Sequence, residues 1–257
     1  MLTIKVDPHT HTFFSVHAFS TIEENALHAK ERGMEAIAMT DHYGLGFMPT
    51  IETKFSPGAS LNMSALPQVI HGVRILAGTE IDIADFEGNL AGHDVPGWLP
   101  GKNMRDIMLD SREITIASLH YFEGFMDGTL AQNTHMYSNV AANPQVDIIG
   151  HPIRNGVAFD WEEVLKTAKK SGCLMEVNEL SFKHSEAVAE ECKAFALRCA
   201  ELGVPIVVGS DAHSAFFVGE FGKSLAMLDE IGFPEELVIN TSLEKLMGYL
   251  AEKRGTK

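Results

Sequence analysis

The chain has 257 residues, 45% apolar and 21% charged, which is ordinary usage for a folded globular protein and excludes a disordered chain. A net charge of -15 argues against a nucleic-acid duplex as partner, because such binding draws on lysine and arginine; metal ions gathered in one pocket would still admit a small phosphorylated partner. No stretch is apolar enough to span a membrane and MLTIKVDPH carries no signal-like segment, so the expectation is a cytoplasmic protein with one domain over residues 1–257.

In chain order, the apolar run LTIKV leads into the helical pattern STIEENALHAKERG, where Ser20 and Glu23 have capping-box spacing and Gly33 ends the helix. EAIAMT follows, then a loop rich in Gly, Pro and Ser through residue 60 and a short helix near MSALPQVIHG. VRILAGTEIDI precedes DFEGN, which reads as a hairpin turn. The later runs are EITIASL, VDIIG, CLMEV, PIVVGS and ELVIN, separated by helical patterns such as DWEEVLKTAKKSG and SEAVAEECKAFALRCAELG. This alternation predicts βα units around a parallel sheet or barrel.

Polar residues crowd the C-terminal ends of these runs, in VDPHTH, MTDH, AGTE, SLH, GHP, EVNE and GSDAH. That end of a parallel barrel is where active sites are built, and buried histidine or carboxylate is costly unless paired or ligated. His9 and His11, two apart, share one face of a strand, and His17 lies where a loop folds back over the mouth. His42, Glu80, His120, His151, Asp211 and His213 complete nine candidate ligands. Nine donors exceed the needs of one ion and suit two or three divalent ions, some bridged by a carboxylate. Mixed imidazole and carboxylate ligands suit zinc first, with manganese or iron as alternatives.

Asp7 and Asp41 read as turn-closing or histidine-orienting carboxylates. Arg154, just after GHPI, has the chemistry to clamp a phosphate, and Asn178 and His184 to shape the substrate pocket. His28, His71, His93 and His135 read as structural. Cys173, Cys192 and Cys199 contain no C-x-x-C and read as reduced thiols, the last two on a core-facing helical stripe. There is no G-x-S-x-G elbow, P-loop or G-x-G-x-x-G.

The ordered set DPHTHT, His17, MTDH, GTE, SLH, GHP and GSDAHSAFFVGEF resembles the PHP family, named for polymerase and histidinol phosphatase, and is most similar to its stand-alone YcdX-type phosphatases. The likeness runs from about Thr3 to the C-terminus and includes EVNELSFKHS; residues 85–110 and HPIRNG depart from it, which leaves the substrate open. The resemblance implies a distorted seven-stranded (β/α) barrel, TIM-barrel-like in the α/β class, with a trinuclear metal site at the C-terminal strand ends. It places His9, His11, Glu80 and Asp211 on one ion, Glu80, His120 and His151 on a second, and His17, His42 and His213 on a third, with Glu80 as the bridge.

The activity so implied is a metal-dependent phosphoesterase that hydrolyses a small phosphorylated metabolite through a metal-bridging hydroxide, which Glu80 and Asp211 position. A phosphodiesterase or nucleotide phosphatase of the same family is the alternative. An amidohydrolase-type barrel is disfavoured because no apolar run ends in the bridging lysine such sites use and because His17, His42 and His213 have no place in it. A catalytically silent PHP binding module is disfavoured by the full set of nine ligands. The oligomeric state stays open.

Overall fold

A computed structural model describes residues 2–44, 58–110 and 112–255. Its strands are β1 (Val6–Thr10), β2 (Ala36–Met39), β3 (His42–Tyr43), β4 (Val69–Ile70), β5 (Val73–Asp82), β6 (Ile114–Ser118), β7 (Ile148–Gly150), β8 (Leu174–Asn178) and β9 (Ile206–Gly209). Seven of them neighbour in the order β1, β2, β5, β6, β7, β8, β9, every pair parallel. β3 resumes the path of β2 and pairs with the far half of β5, which sets His42 opposite Glu80. β4 folds back antiparallel on the near end of β5. The ring closes at its C-terminal end, where Asp211 N–H donates to His9 O and His11 N–H donates to Ala212 O, both at 2.9 Å. The result is the distorted seven-stranded barrel expected from the sequence.

The helices are α1 (Ile22–Glu31), α2 (Met104–Leu109), α3 (Leu130–Ala142), α4 (Trp161–Ser171), α5 (Glu186–Leu202), α6 (Gly222–Glu230) and α7 (Leu243–Lys253). α4 and α5 start and stop as their sequences indicate: Asp160 and Ser185 cap the N-termini, and Gly172 and Gly203 take left-handed φ angles of 75° and 64°. On α5, Cys199 is buried in the core and Cys192 packs against it. No helix among the described residues is long and apolar enough to cross a membrane.

One buried cluster joins Val6, Leu76, Ile114, Leu174 and Val207 from five strands with Leu246 and Leu250 of α7. Burying each leucine there contributes about 2 kcal/mol, which holds the last helix against the strands. Because strand side chains alternate, Glu80 shares the face of Leu76 and Glu176 that of Leu174. The same faces therefore change from apolar to polar along the strands, and that gradient positions the site.

ELVIN, read as one more apolar run in the βα series, makes no eighth strand. Glu235–Leu237 and Ile239–Thr241 are 3-10 turns, and Val238 forms a single bridge to Ile206. In place of a strand stands the buried amide of Asn240. Its Nδ2 donates to Val6 O at 2.8 Å and Val208 O at 2.7 Å, and its Oδ1 accepts from Val208 N–H at 3.0 Å. One side chain thus links β1 and β9 where no ladder joins them. Asn240→Leu leaves three backbone groups without partners, each worth about 1–3 kcal/mol when buried, so unfolding free energy should fall by about 3 kcal/mol or more in urea titrations. A loss below about 1 kcal/mol would show that the strands close without the amide.

Three local readings shift. α1 is capped by Thr21 with Glu24, one residue beyond the Ser20 and Glu23 of the sequence reading, because Ser20 Oγ instead accepts from Ala215 N–H at 2.8 Å. MSALPQVIHG holds the end of a 3-10 segment (Gly58–Ala65) and then β4, since the antiparallel pairing of Val69 and Ile70 with β5 overrides a helix. The strand in LTIKV begins only at Val6. The DFEGN hairpin turn is present: Ala84 N–H donates to Asn89 O at 2.7 Å and Gly88 has φ 76°. Of the loop expected through residue 60, residues 45–57 lie outside the described residues.

Candidate metal centre

Glu80, on β5, is completely buried and surrounded by imidazoles. Its oxygens lie 2.7 Å from His42 Nδ1, 3.0 Å from His151 Nε2, 3.3 Å from His9 Nε2, 3.4 Å from His120 Nε2 and 3.5 Å from His11 Nε2. Asp211 stands beside it, with Oδ1 3.1 Å from His11 Nε2 and 3.5 Å from His9 Nε2. The rings of His17 and His213 lie 4.4 Å apart, that of His213 lies 4.2 Å from His11, and that of His17 lies 5.1 Å from His42. The structure therefore brings all nine ligand candidates into one cluster.

The outer nitrogens of these histidines explain what the inner ones can do. His9 Nδ1 faces Glu176 Oε1 at 2.7 Å, His120 Nδ1 faces Asp82 Oδ1 at 2.7 Å, His17 Nδ1 faces Ser15 O at 2.8 Å and His213 Nδ1 faces Asp211 O at 2.9 Å. Each of these oxygens only accepts, so each Nδ1 carries a proton and Nε2 is the nitrogen left to face a cation. His11 follows the same rule by relay: Ser15 Oγ gives its one proton to Asp41 Oδ1 at 2.6 Å and accepts from His11 Nδ1 at 3.0 Å. Asp41 thus orients a histidine through Ser15. Asp7 accepts from the N–H groups of Ser210 and Gly219 and so ties β1 to the segment after β9.

The charges divide the cluster. Burial raises the Glu80 carboxyl, but the charges of His9, His120 and His42 outweigh it and hold the group well below its usual range. Burial likewise raises Asp211, and His9, Arg154 and His11 hold it well below. Burial disfavours a charge on His9, yet Glu176, Asp211 and Glu80 lift it well above its ordinary value. Burial, with the charge of His42, drives His11 well below; burial also takes His151 and His17 down to about 4. The ionised carboxylates and the lowered His11, His17 and His151 are in the protonation states that metal binding requires, whereas His9 and His120, raised by the carboxylates around them, would each give up a proton to a bound cation.

These residues fit a metal centre. His9 Nε2 and His213 Nε2 are buried atoms with no hydrogen-bond partner, which is costly for polar groups unless something ligates them. Ligand atoms of His9, His11 and Glu80 lie within 4.8 Å of one another, as do those of His42, Glu80 and His120 and those of His11, His42 and His213. Compared with the partition implied by the resemblance, the second of these groups has His42 where His151 was expected and the third has His11 where His17 was expected.

A cavity of about 330 Å³ opens over the cluster, lined by His17, His42, His120, His151, Asp211 and His213 and, on the remaining wall, by Arg154, Asn155, Leu180 and His184. Arg154 Nη2 donates to Asp211 Oδ2 at 2.6 Å and to Asn178 Oδ1, and its Nε donates to Ser181 Oγ at 3.2 Å. His184 is exposed at the rim. Asn178 is buried behind that wall, its amide spent on protein groups. His28, His71 and His135 face Glu31, Glu23 and Glu87, and His93 faces Asp85 and Asp94; none of the four lines the cavity. Sequence reading did not single out Glu176 and Asp82. The signal was their spacing, two residues from Asn178 and Glu80 on the same strand face.

A PHP domain matches residues 7–180 of the chain. The chain belongs to the PHP family. A probable phosphatase of Caldanaerobacter subterraneus subsp. tengcongensis is 41% identical over 256 residues, spanning 98% of this PHP chain and 93% of its own. A probable phosphatase of Clostridium novyi is 39% identical over 249 residues, spanning 96% and 95%. These alignments extend the likeness past the matched domain to the segment that carries Asp211 and His213. Among solved structures, histidinol phosphate phosphatase of Lactococcus lactis, complexed with zinc, L-histidinol and phosphate, has a TM-score of 0.59 at 17% identity, covering 90% of this chain and 95% of that one. At that identity the likeness is one of fold, and it agrees with the PHP barrel described above.

Proposed function

We propose that this protein is a metal-dependent phosphatase that hydrolyses a small phosphorylated metabolite at a centre of two to three divalent ions, its residues 1–257 forming one domain. The observation that carries the reading is the buried Glu80 carboxylate with five histidine nitrogens within 3.5 Å. His9, His11, Glu80 and Asp211 would hold one ion, Glu80, His120 and His151 a second, and His17, His42 and His213 a third. Zinc suits this donor set first, with manganese or iron as alternatives; zinc is also the metal named with the Lactococcus lactis enzyme. When bound, such ions acidify water and neutralise phosphoryl charge.

The chain's own groups do the rest. Glu80 and Asp211, held ionised, fix where cations and the attacking water sit. Arg154 keeps Asp211 in place and faces the cavity, where its guanidinium meets a phosphoryl oxygen as charge builds. Asn178 steadies Arg154 and Asp211 from behind, and His184 at the rim meets the leaving group. A cavity of about 330 Å³ suits a small metabolite.

Elemental analysis of gently purified protein should find two to three transition-metal ions per chain, and phosphate release from a panel of monoesters should stop on chelation and return with metal. None or one ion would sink the multinuclear centre. Full metal content with no release from any monoester, diesters being cleaved instead, would replace the phosphatase with a phosphodiesterase.

A further inference from the structure

One buried carboxylate serves three of the proposed ligands from outside their point of convergence. Glu176 Oε1 lies 2.7 Å from His9 Nδ1, and Oε2 accepts from His151 N–H at 2.8 Å and from Asn178 Nδ2 at 3.0 Å. The same Asn178 Nδ2 donates to Asp211 Oδ2 at 3.2 Å. β1, β8 and the segment that follows β7 therefore meet on Glu176, and the segment that follows β9 joins them through Asn178.

Two of those ligands have strained backbones. His151 has φ 29° and Asp211 φ 55°, left-handed values that a residue with a side chain keeps only where its surroundings over-determine it. In His151 the N–H of the strained residue is the one Glu176 accepts. The fold also clears space for this carboxylate: a Cβ on Gly209 would fall 2.1 Å from Glu176 Oε1 and 3.0 Å from His9 Cβ.

We infer that Glu176 is the positioning residue of the metal centre, an inference that rests on the metal-centre reading above. It fixes the tautomer and direction of His9, locks the backbone of His151 and, through Asn178, steers Asp211. Ligands assigned to two different ions are thereby set together. Glutamine cannot replace it, because three donors converge on two accepting oxygens and an amide supplies only one.

The test is zinc affinity, measured by chelator competition on the full chain, with the thermal stability of the metal-free form followed separately. Glu176→Gln should weaken zinc binding about 10–100-fold, the range for outer partners of ligating histidines. Gly209→Ala, whose added Cβ displaces the carboxylate and also crowds His9 Cβ, should weaken binding in the same direction. In a His9→Ala background, Glu176→Gln should cost less affinity than in wild type, since the path through His9 is gone. A folded Glu176→Gln or Gly209→Ala protein that binds zinc as wild type does, whatever its stability, overturns the inference alone. Wild-type protein that binds no zinc, manganese or iron overturns the metal-centre reading and this inference with it.

Discussion

Glu80→Gln should release about one ion or more per chain and slow phosphate-ester hydrolysis on the order of 100-fold or greater. The substitution keeps the length and shape of the side chain and removes its charge. Five histidine nitrogens from four other strand ends approach that one carboxylate, so no other described group is placed to hold two cations at once. Asp211 does not substitute for it, because its second oxygen is engaged by Arg154 and Asn178. The loss should be specific to metal and turnover. A neutral amide in a fully buried site is no harder to desolvate than a carboxylate, so the metal-free form should keep its fold. Elemental analysis and hydrolysis of p-nitrophenyl phosphate measure the two effects, and full metal content with normal turnover would mean that the strand-end cluster is not a bridged hydrolytic centre.

What the sequence made legible was local. His9 with His11 and Asp211 with His213 could be paired because two-residue spacing on a strand fixes a common face. Glu80 stood out because a carboxylate after VRILAGT has no reason to be there unless something compensates it. Contacts between distant segments were not legible. His9 and Glu176 meet across 167 positions, and nothing near either residue announces the other. Asn240 sits in a run as apolar as a true strand, and only the gap between β1 and β9 gives its amide three partners. The cap of α1 moved by one residue for a similar reason, since Ser20 is drawn off by Ala215, nearly two hundred positions away.

His11→Ala and His151→Ala should each abolish turnover, while His28→Ala should stay within about twofold of wild type. His11 contacts both Glu80 and Asp211 and its ring packs on His42 and His213, so its loss opens the cluster at its centre. His151 approaches Glu80 from the end of β7, and a smaller residue there removes a donor that no neighbour replaces. Losing a ligand should exceed the roughly 10–100-fold typical of an outer partner, which places both variants below Glu176→Gln in activity. His28 belongs to α1, partly exposed, with Glu31 3.7 Å away and Phe216 at its edge. Its removal changes no group that faces the cavity. Steady-state kinetics on one monoester, with metal content measured in parallel, ranks the three variants, and equal losses in all of them would show that the strand ends do not hold the active site.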